Sequence, residues 1–316
     1  MGFTVYSSLD ASAPVLTGET GKLIELLNAC LVVGYGAKAA AGWTKPFNTG
    51  IAVAVYQNGA TGSNRYWRVR DDGPNGTSTF KEAWIRGYAT KSDVNDTEDA
   101  GNTGPFPTAA QKANGLVIRK SAAADATARD WYVYADARTC ILFVYTGDNA
   151  GQAMIHYFGD FYDWGSVADI NAYNGCRNTE NSASQTIGLQ QFTVASEQYL
   201  MQSYTGSGGS VATLAHPVST FNGNLTYSSG VTPFPNQPNG AKYLTHLAVA
   251  EGGTSATTQP PRGVLRGLWY PISGQATYTD LNTLEGSGPT AGRTFTVHVV
   301  GGGRYAVETS DTLDTN

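Results

Sequence analysis

A chain of 316 residues is long enough for one large β domain or two smaller ones, and 41% apolar residues with 38 glycines argue against a disordered chain. A net charge of −5, with only 14% charged residues, argues against binding to nucleic acid by phosphate neutralisation, which needs a basic face. Three distant cysteines, Cys30, Cys140 and Cys176, with no C-x-x-C spacing, argue against a disulfide framework or a zinc site, and Cys30 and Cys140 read as small core residues.

Along the chain, residues 1–4 show neither a basic region nor an apolar run, and no later stretch is long enough to span a membrane. The expectation is a protein made and assembled in a cytoplasm. An N-terminal amphipathic helix is predicted near Thr20 to Val33, where Leu23, Ile24, Leu26, Leu27, Cys30 and Leu31 recur at helical spacing. Thr20 is the expected N-cap, and Gly34 the expected residue that ends the helix. A helix this short needs a sheet or a neighbouring subunit to pack on.

Strand-like segments follow at Ile51–Gln57, Asn64–Asp71, Thr79–Tyr88, Gly115–Lys120, Asp130–Ala135, Thr139–Thr146 and Gln152–Phe158. Their β-branched and aromatic residues suit a pleated, half-buried surface. Cys140–Tyr145 is apolar throughout and reads as a central strand buried on both faces, joined to its predecessor by a tight turn at Asp136-Ala137-Arg138. Arg65, Arg68 and Arg70 are expected to share a strand face, either solvated or at an interface. Six Asn-Gly dipeptides, at Asn58, Asn75, Asn114, Asn174, Asn222 and Asn239, read as hairpin turns, because both residues tolerate positive φ.

The second half is more polar. Ser203–Ser210, Val231–Gly240 and Glu251–Gly263 read as long connections, with strands at Tyr243–Ala250, Val264–Tyr270, Thr294–Val300 and Arg304–Thr309. Gly301-Gly302-Gly303 is the expected turn between the last two, and the tail from Asp311 is polar. The composition shift near Gly175 sets a boundary between a region 1–175, helix plus β body, and a loop-rich β region 176–316, which also fits one domain. The fold class is therefore mainly β, an antiparallel sandwich or barrel-like body with one N-terminal amphipathic helix.

Candidate chemistry is sparse. Gly34-Tyr35-Gly36-Ala37-Lys38-Ala39 spells G-x-G-x-x-A but follows a helix, where a dinucleotide fingerprint needs a strand. The acidic stretch Asp93 to Asp99 lacks the Gly and Glu positions of an EF-hand; it reads as a solvated loop, with an irregular calcium site left open. Asp160, Asp163 and Asp169 lie among aromatics, where a glycoside hydrolase places its acid and base, though turn aspartates are the plainer reading. The histidines, at 156, 216, 246 and 298, show no metal-ligand spacing, and His156 and His298 read as packed or hydrogen-bonded. The sequence thus assigns no catalytic, cofactor-binding or metal residue.

Several segments resemble a family of virion structural proteins from tailed bacteriophages. They are Val5–Leu16, Leu31–Thr44, Phe106–Gln111, Arg119–Ser121 with Asp125–Arg129, Asn178–Ala183, Gly267–Pro271 and Glu308–Asp311, spread over most of the chain. The resemblance implies a particle component without assigned enzymatic activity and supplies no catalytic residue. The expected function is a homo-oligomeric component on the capsid or tail surface, with a slight preference for capsid decoration. Its expected partners are copies of itself and major capsid or tail proteins, with contacts through Phe3–Trp43 and the long loops of the second half. The alternatives are a tail-tip or baseplate module recognising host surface glycans, supported if aromatics around Tyr157–Trp164 are exposed, and a polysaccharide-cleaving enzyme using Asp160 and Asp163.

Overall fold

Thr-Cys-Ile-Leu-Phe-Val contains no charge and no turn residue, and it forms strand β8 (Thr139–Val144), buried at every position. Successive side chains of a strand point to opposite faces. Cys140, Leu142 and Val144 enter one core, while Ile141 and Phe143 enter another. One uninterrupted apolar run therefore serves two cores, as its sequence predicts.

The computed structural model describes residues 2–72, 82–147, 153–164, 171–176, 198–203, 205–206, 208–215, 244–251, 261–271, 278–300 and 303–310. Strands β1 (Thr4–Ser7), β7 (Trp131–Ala135), β8, β9 (Met154–Asp160), β11 (Ala172–Cys176), β12 (Gln198–Gln202), β13 (Gly208–Ala215), β14 (Leu244–Glu251), β15 (Pro261–Pro271), β18 (Gly303–Glu308), β17 (Thr294–Val300) and β16 (Thr283–Glu285) follow one another in a hydrogen-bonded path, and the two-residue β10 (Tyr162–Asp163) pairs with β15. A second sheet runs β2 (Thr44–Thr49), β3 (Val53–Gln57), β4 (Tyr66–Arg70), β5 (Glu82–Tyr88) and β6 (Leu116–Arg119). The pairings are antiparallel.

The long path folds back on itself. Tyr134, Ile141, Phe143, Ile155, Tyr157 and Leu200 from its first part meet Leu247, Val249, Leu265, Leu268, Tyr305 and Val307 from its second across one core. The other face of the first part packs on the five-stranded sheet and the helix through Trp131, Val133, Leu142, Phe158, Trp67, Val69 and Ile85. The body is thus mainly β and sandwich-like, with β7–β9 as its middle layer. One sheet and one core draw on residues from both sides of position 175.

The helix departs from expectation in its place and its cap. The chain opens on strand β1, so the helix is not the N-terminal element. Helix α1 spans Lys22–Asn28 and continues as a π-helical turn, Ala29–Val33. Gly21, with φ 82°, replaces Thr20 as N-cap and offers no side chain. The cap is supplied from β4's far end instead: the Leu23 N–H donates to Asp71 Oδ2 at 2.8 Å. Asp71 also pairs with the Lys120 ammonium, which donates to the Glu19 carbonyl at 2.6 Å, and both side chains are fully buried. Burial pushes the Asp71 carboxyl above its ordinary value, against the pull of Lys120. The helix ends at Gly34, whose φ of 85° suits glycine.

Turns differ too. Asp136-Ala137-Arg138 is a tight turn between β7 and β8, with the Arg138 and Thr139 amides donating to Asp136 Oδ1 at 2.8 Å each. Asn174-Gly175 is no turn at all; it sits inside β11, where His156 Nε2 donates to Asn174 Oδ1 at 2.9 Å. Asn58 opens a longer loop rather than a two-residue hairpin. The strand β13 begins inside the expected connection 203–210, and β15 begins at Pro261, before the end of the expected connection 251–263. The dipeptides at Asn75, Asn222 and Asn239, the connection 231–240, the segment 178–183, Asp169, His216, Gly301-Gly302 and the tail from 311 lie outside the described residues.

Candidate functional site: a pinned N-terminal face

Free strand edges invite another chain to pair, so their treatment tells how the protein is allowed to associate. At β1 the outward Val5 carbonyl accepts from the Lys38 ammonium at 2.8 Å, and the outward Ser7 N–H donates to Asp10 Oδ2 at 2.8 Å. At β2 the register shifts between Thr44 and Phe47, and Pro46 has no N–H to offer. At β16 the strand is only three residues long. These three edges are blunted by three different means.

The same residues that plug β1 hold the loop after it. Asp10 accepts from the Tyr35 hydroxyl at 2.8 Å and lies 3.5 Å from Lys38. The Trp131 indole N–H donates to the Pro14 carbonyl at 3.1 Å, and the Arg129 N–H to the Leu16 carbonyl at 2.8 Å. Ser12 is held at φ 63°, a conformation that non-glycine residues adopt at a cost. The turn Gly34–Lys38 abuts this loop so closely that a Cβ on Gly36 would stand 2.6 Å from the Ala11 carbonyl. On this braced backbone Leu9 is 75% exposed, Val15 57% and Val33 68%. Three of the six large apolar side chains that face solvent among the described residues thus belong to the segment Phe3–Trp43.

Asp160, the sequence's first choice for an acid or base, is fully buried at the end of β9. Asn58 Nδ2 donates to its Oδ1 at 3.0 Å; the Ser63 N–H (2.9 Å) and Arg138 Nε (3.2 Å) donate to Oδ2. Burial raises its pKa, opposed by Ser63 and Arg138. The carboxylate acts as a clasp joining loop 58–65 to β9. Asp163 lies on the short β10, half-buried, beside Trp164, which is 57% exposed.

Two features read separately in the sequence turn out to be one. Arg68 and Arg70 share the outer face of the five-stranded sheet with Arg86, which stands directly opposite Arg68. Arg65 does not join them: it precedes β4, lies on the opposite parity, and donates to the Ala89 carbonyl at 2.9 Å. The acidic stretch folds over this face. Asp96 Oδ1 takes Arg86 at 2.9 Å and Arg68 at 3.6 Å, with the Tyr88 hydroxyl also donating to it. Asp93 and Asp99 are occupied by the loop's own Asn95, Gly101 and Asn102. Among the described residues no group of three or more His, Cys, Asp or Glu side chains is set to hold a metal ion.

His298 is packed and hydrogen-bonded, as its place in a strand suggests, but its partners are not legible in sequence: they form a buried chain of hydrogen bonds. The Tyr145 hydroxyl donates to Asp280 Oδ2 at 2.7 Å and lies 3.1 Å from His298 Nδ1, and the Tyr134 hydroxyl lies 2.7 Å from Nε2. Tyr145 has one proton and gives it to Asp280, so Nδ1–H donates to Tyr145 and Nε2 accepts from Tyr134. Burial pushes the imidazole down to about 3, which keeps it neutral, and the ring stacks on Phe143 at 3.9 Å. The partners lie 153 and 164 residues away in sequence, beyond any local pattern.

Compared with known proteins, the chain matches no protein-family model and no curated protein.

Proposed function

We propose that this chain is a non-enzymatic structural component of a tailed-phage virion, assembling in many copies on the capsid or tail surface, with a slight preference for capsid decoration. The observation that carries the reading is the pinned N-terminal face. Leu9 and Val15 are presented by a loop whose backbone is already fixed, so docking them costs little ordering entropy. Each would contribute about 1.5–3 kcal/mol on burial. Contacts of that size are weak singly and add up when copies sit on one lattice. The blunted edges fit the same reading, since they direct association to side chains rather than to sheet extension. The segment Val5–Leu16 is also among those that resemble tailed-phage virion proteins.

Quantitative peptide mass spectrometry of purified particles tests this. A copy number comparable to the major capsid protein means decoration; a few copies, in a small multiple of three or six, means a tail or baseplate position. Absence from the particle removes the proposal. One observation favours a second reading, a module recognising host surface glycans: Trp164 is more than half exposed beside the half-buried Tyr162. Binding of surface polysaccharide that Trp164→Ala abolishes would support it.

A further inference from the structure

Cross-strand neighbours of like charge repel, and Arg68 and Arg86 are directly opposite in the β4–β5 register. Both are nearly buried, at 9% and 3% side-chain exposure, so solvent does little to screen them. Lys91 lies beside them with a fully buried side chain, its ammonium 4.2 Å from the centre of the Tyr88 ring, but it is already engaged by the Asn95 carbonyl and by Asp93 at 3.9 Å. Two guanidiniums and a phenol hydroxyl thus converge on one place, and the oxygen that Arg68, Arg86 and Tyr88 share belongs to Asp96, a side chain 27% exposed.

The segment that brings Asp96 there closes without it. The Thr90 and Thr103 hydroxyls lie 2.8 Å apart at its base, with backbone bonds between the same two residues, and Asp99 is bonded to Gly101 and Asn102. The carboxylate is therefore an addition to a self-supporting strap. Two planar guanidiniums that converge with a phenol hydroxyl suit the oxygens of a tetrahedral, multiply charged anion at least as well as one carboxylate.

We infer that Arg68, Arg86 and Tyr88 form an oxyanion site for a phosphate or sulfate group, and that Asp96 is its built-in occupant. The site is separate from the N-terminal face, so its fate does not depend on the proposed virion role. Asp96→Asn and Asp96→Ala in the full chain remove the occupant's charge. Inorganic phosphate and sulfate are then titrated against melting temperature at ionic strength held constant with chloride, with folding checked by circular dichroism.

The expected result is a saturable rise in melting temperature in either variant, with apparent affinity at least about tenfold above that of the parent, where the tethered carboxylate competes. Adding Arg86→Gln should abolish it. A preference between the two anions identifies the group. No rise beyond chloride in a folded variant overturns the inference, as does equal affinity in the parent or a response that survives Arg86→Gln.

Discussion

The two faces of the five-stranded sheet are each fastened by an aspartate and cations, and the two fastenings differ in kind. On the inner face Asp71 and Lys120 are fully buried, and Asp71 also caps α1, which places helix, β4 and β6 in one closed unit. On the outer face Asp96 keeps 27% of its side chain in solvent and holds a strap that already closes on itself. The same chemistry is structural where every partner is sealed and exchangeable where one partner faces water. Burial, and not the ion pair, sets the difference.

The sharpest way to break the comparison is at the inner pair. Asp71→Ala leaves the Lys120 ammonium buried without its carboxylate and the Leu23 N–H without its cap. Removing one partner of a buried pair costs about 3–5 kcal/mol. Asp96→Ala on the outer face should cost less, about 1.5–3 kcal/mol, because Asp96 is part exposed although its loss leaves Arg68 and Arg86 facing each other. Urea unfolding of both variants measures the gap, and equal losses would erase the distinction.

A second contrast is in pH. Burial holds His156 at about 4 and His298 at about 3, against an ordinary 6.5. Both folded-state values are depressed, so the contribution of these groups is full above pH 6.5 and is lost as pH falls through 4 toward 3. Asp71, Asp160 and Asp280 are pushed the other way by burial and oppose part of that loss. Comparison with a variant separates the two. His298→Gln should flatten the decline of stability between pH 6.5 and 4 by about 1.4 kcal/mol per pH unit at most, read from urea midpoints. On the outer face burial lowers Lys91 to about 8. The charged form is the one it disfavours, so its contribution grows from pH 8 to 10.5. Lys91→Met should remove that alkaline rise.

Much of the body is legible in sequence because it is local. The unbroken run Cys140–Val144 announces a strand with two buried faces, and the stripe from Leu23 to Leu31 announces a helix. What fails is whatever depends on a partner far along the chain. Thr20 is of a residue type that suits an N-cap, yet the cap comes from Asp71, 48 residues from the Leu23 N–H that it accepts. Asn174-Gly175 satisfies the rule for a turn, yet Asn174 is held in mid-strand by His156 on β9 and by its donation to the Phe106 carbonyl. The arginines of β4 and the acidic stretch 93–99 are each visible, but their complementarity appears only when β5 sets Arg86 opposite Arg68. For the N-terminal face, the sequence marks the segment, while the exposure of Leu9 follows from hydrogen bonds to Tyr35, Lys38 and Trp131.

The smallest expected effect on stability is the most informative about association. Leu9 is 75% exposed, and its loop is held by Asp10 and by the Pro14 and Leu16 carbonyls rather than by the Leu9 side chain. Leu9→Asp should therefore change unfolding free energy by no more than about 0.5 kcal/mol. In a docked array the same charge would be taken out of water at every copy, so incorporation into particles should fall at least about tenfold relative to the parent in a competition between the two. Lys38→Ala provides the opposite case: it unplugs the Val5 carbonyl and loosens Asp10, so it should lower stability and raise self-association through β1. If Leu9→Asp enters particles as well as the parent does, the docking face is elsewhere on the molecule, and the pinned loop merely protects an edge.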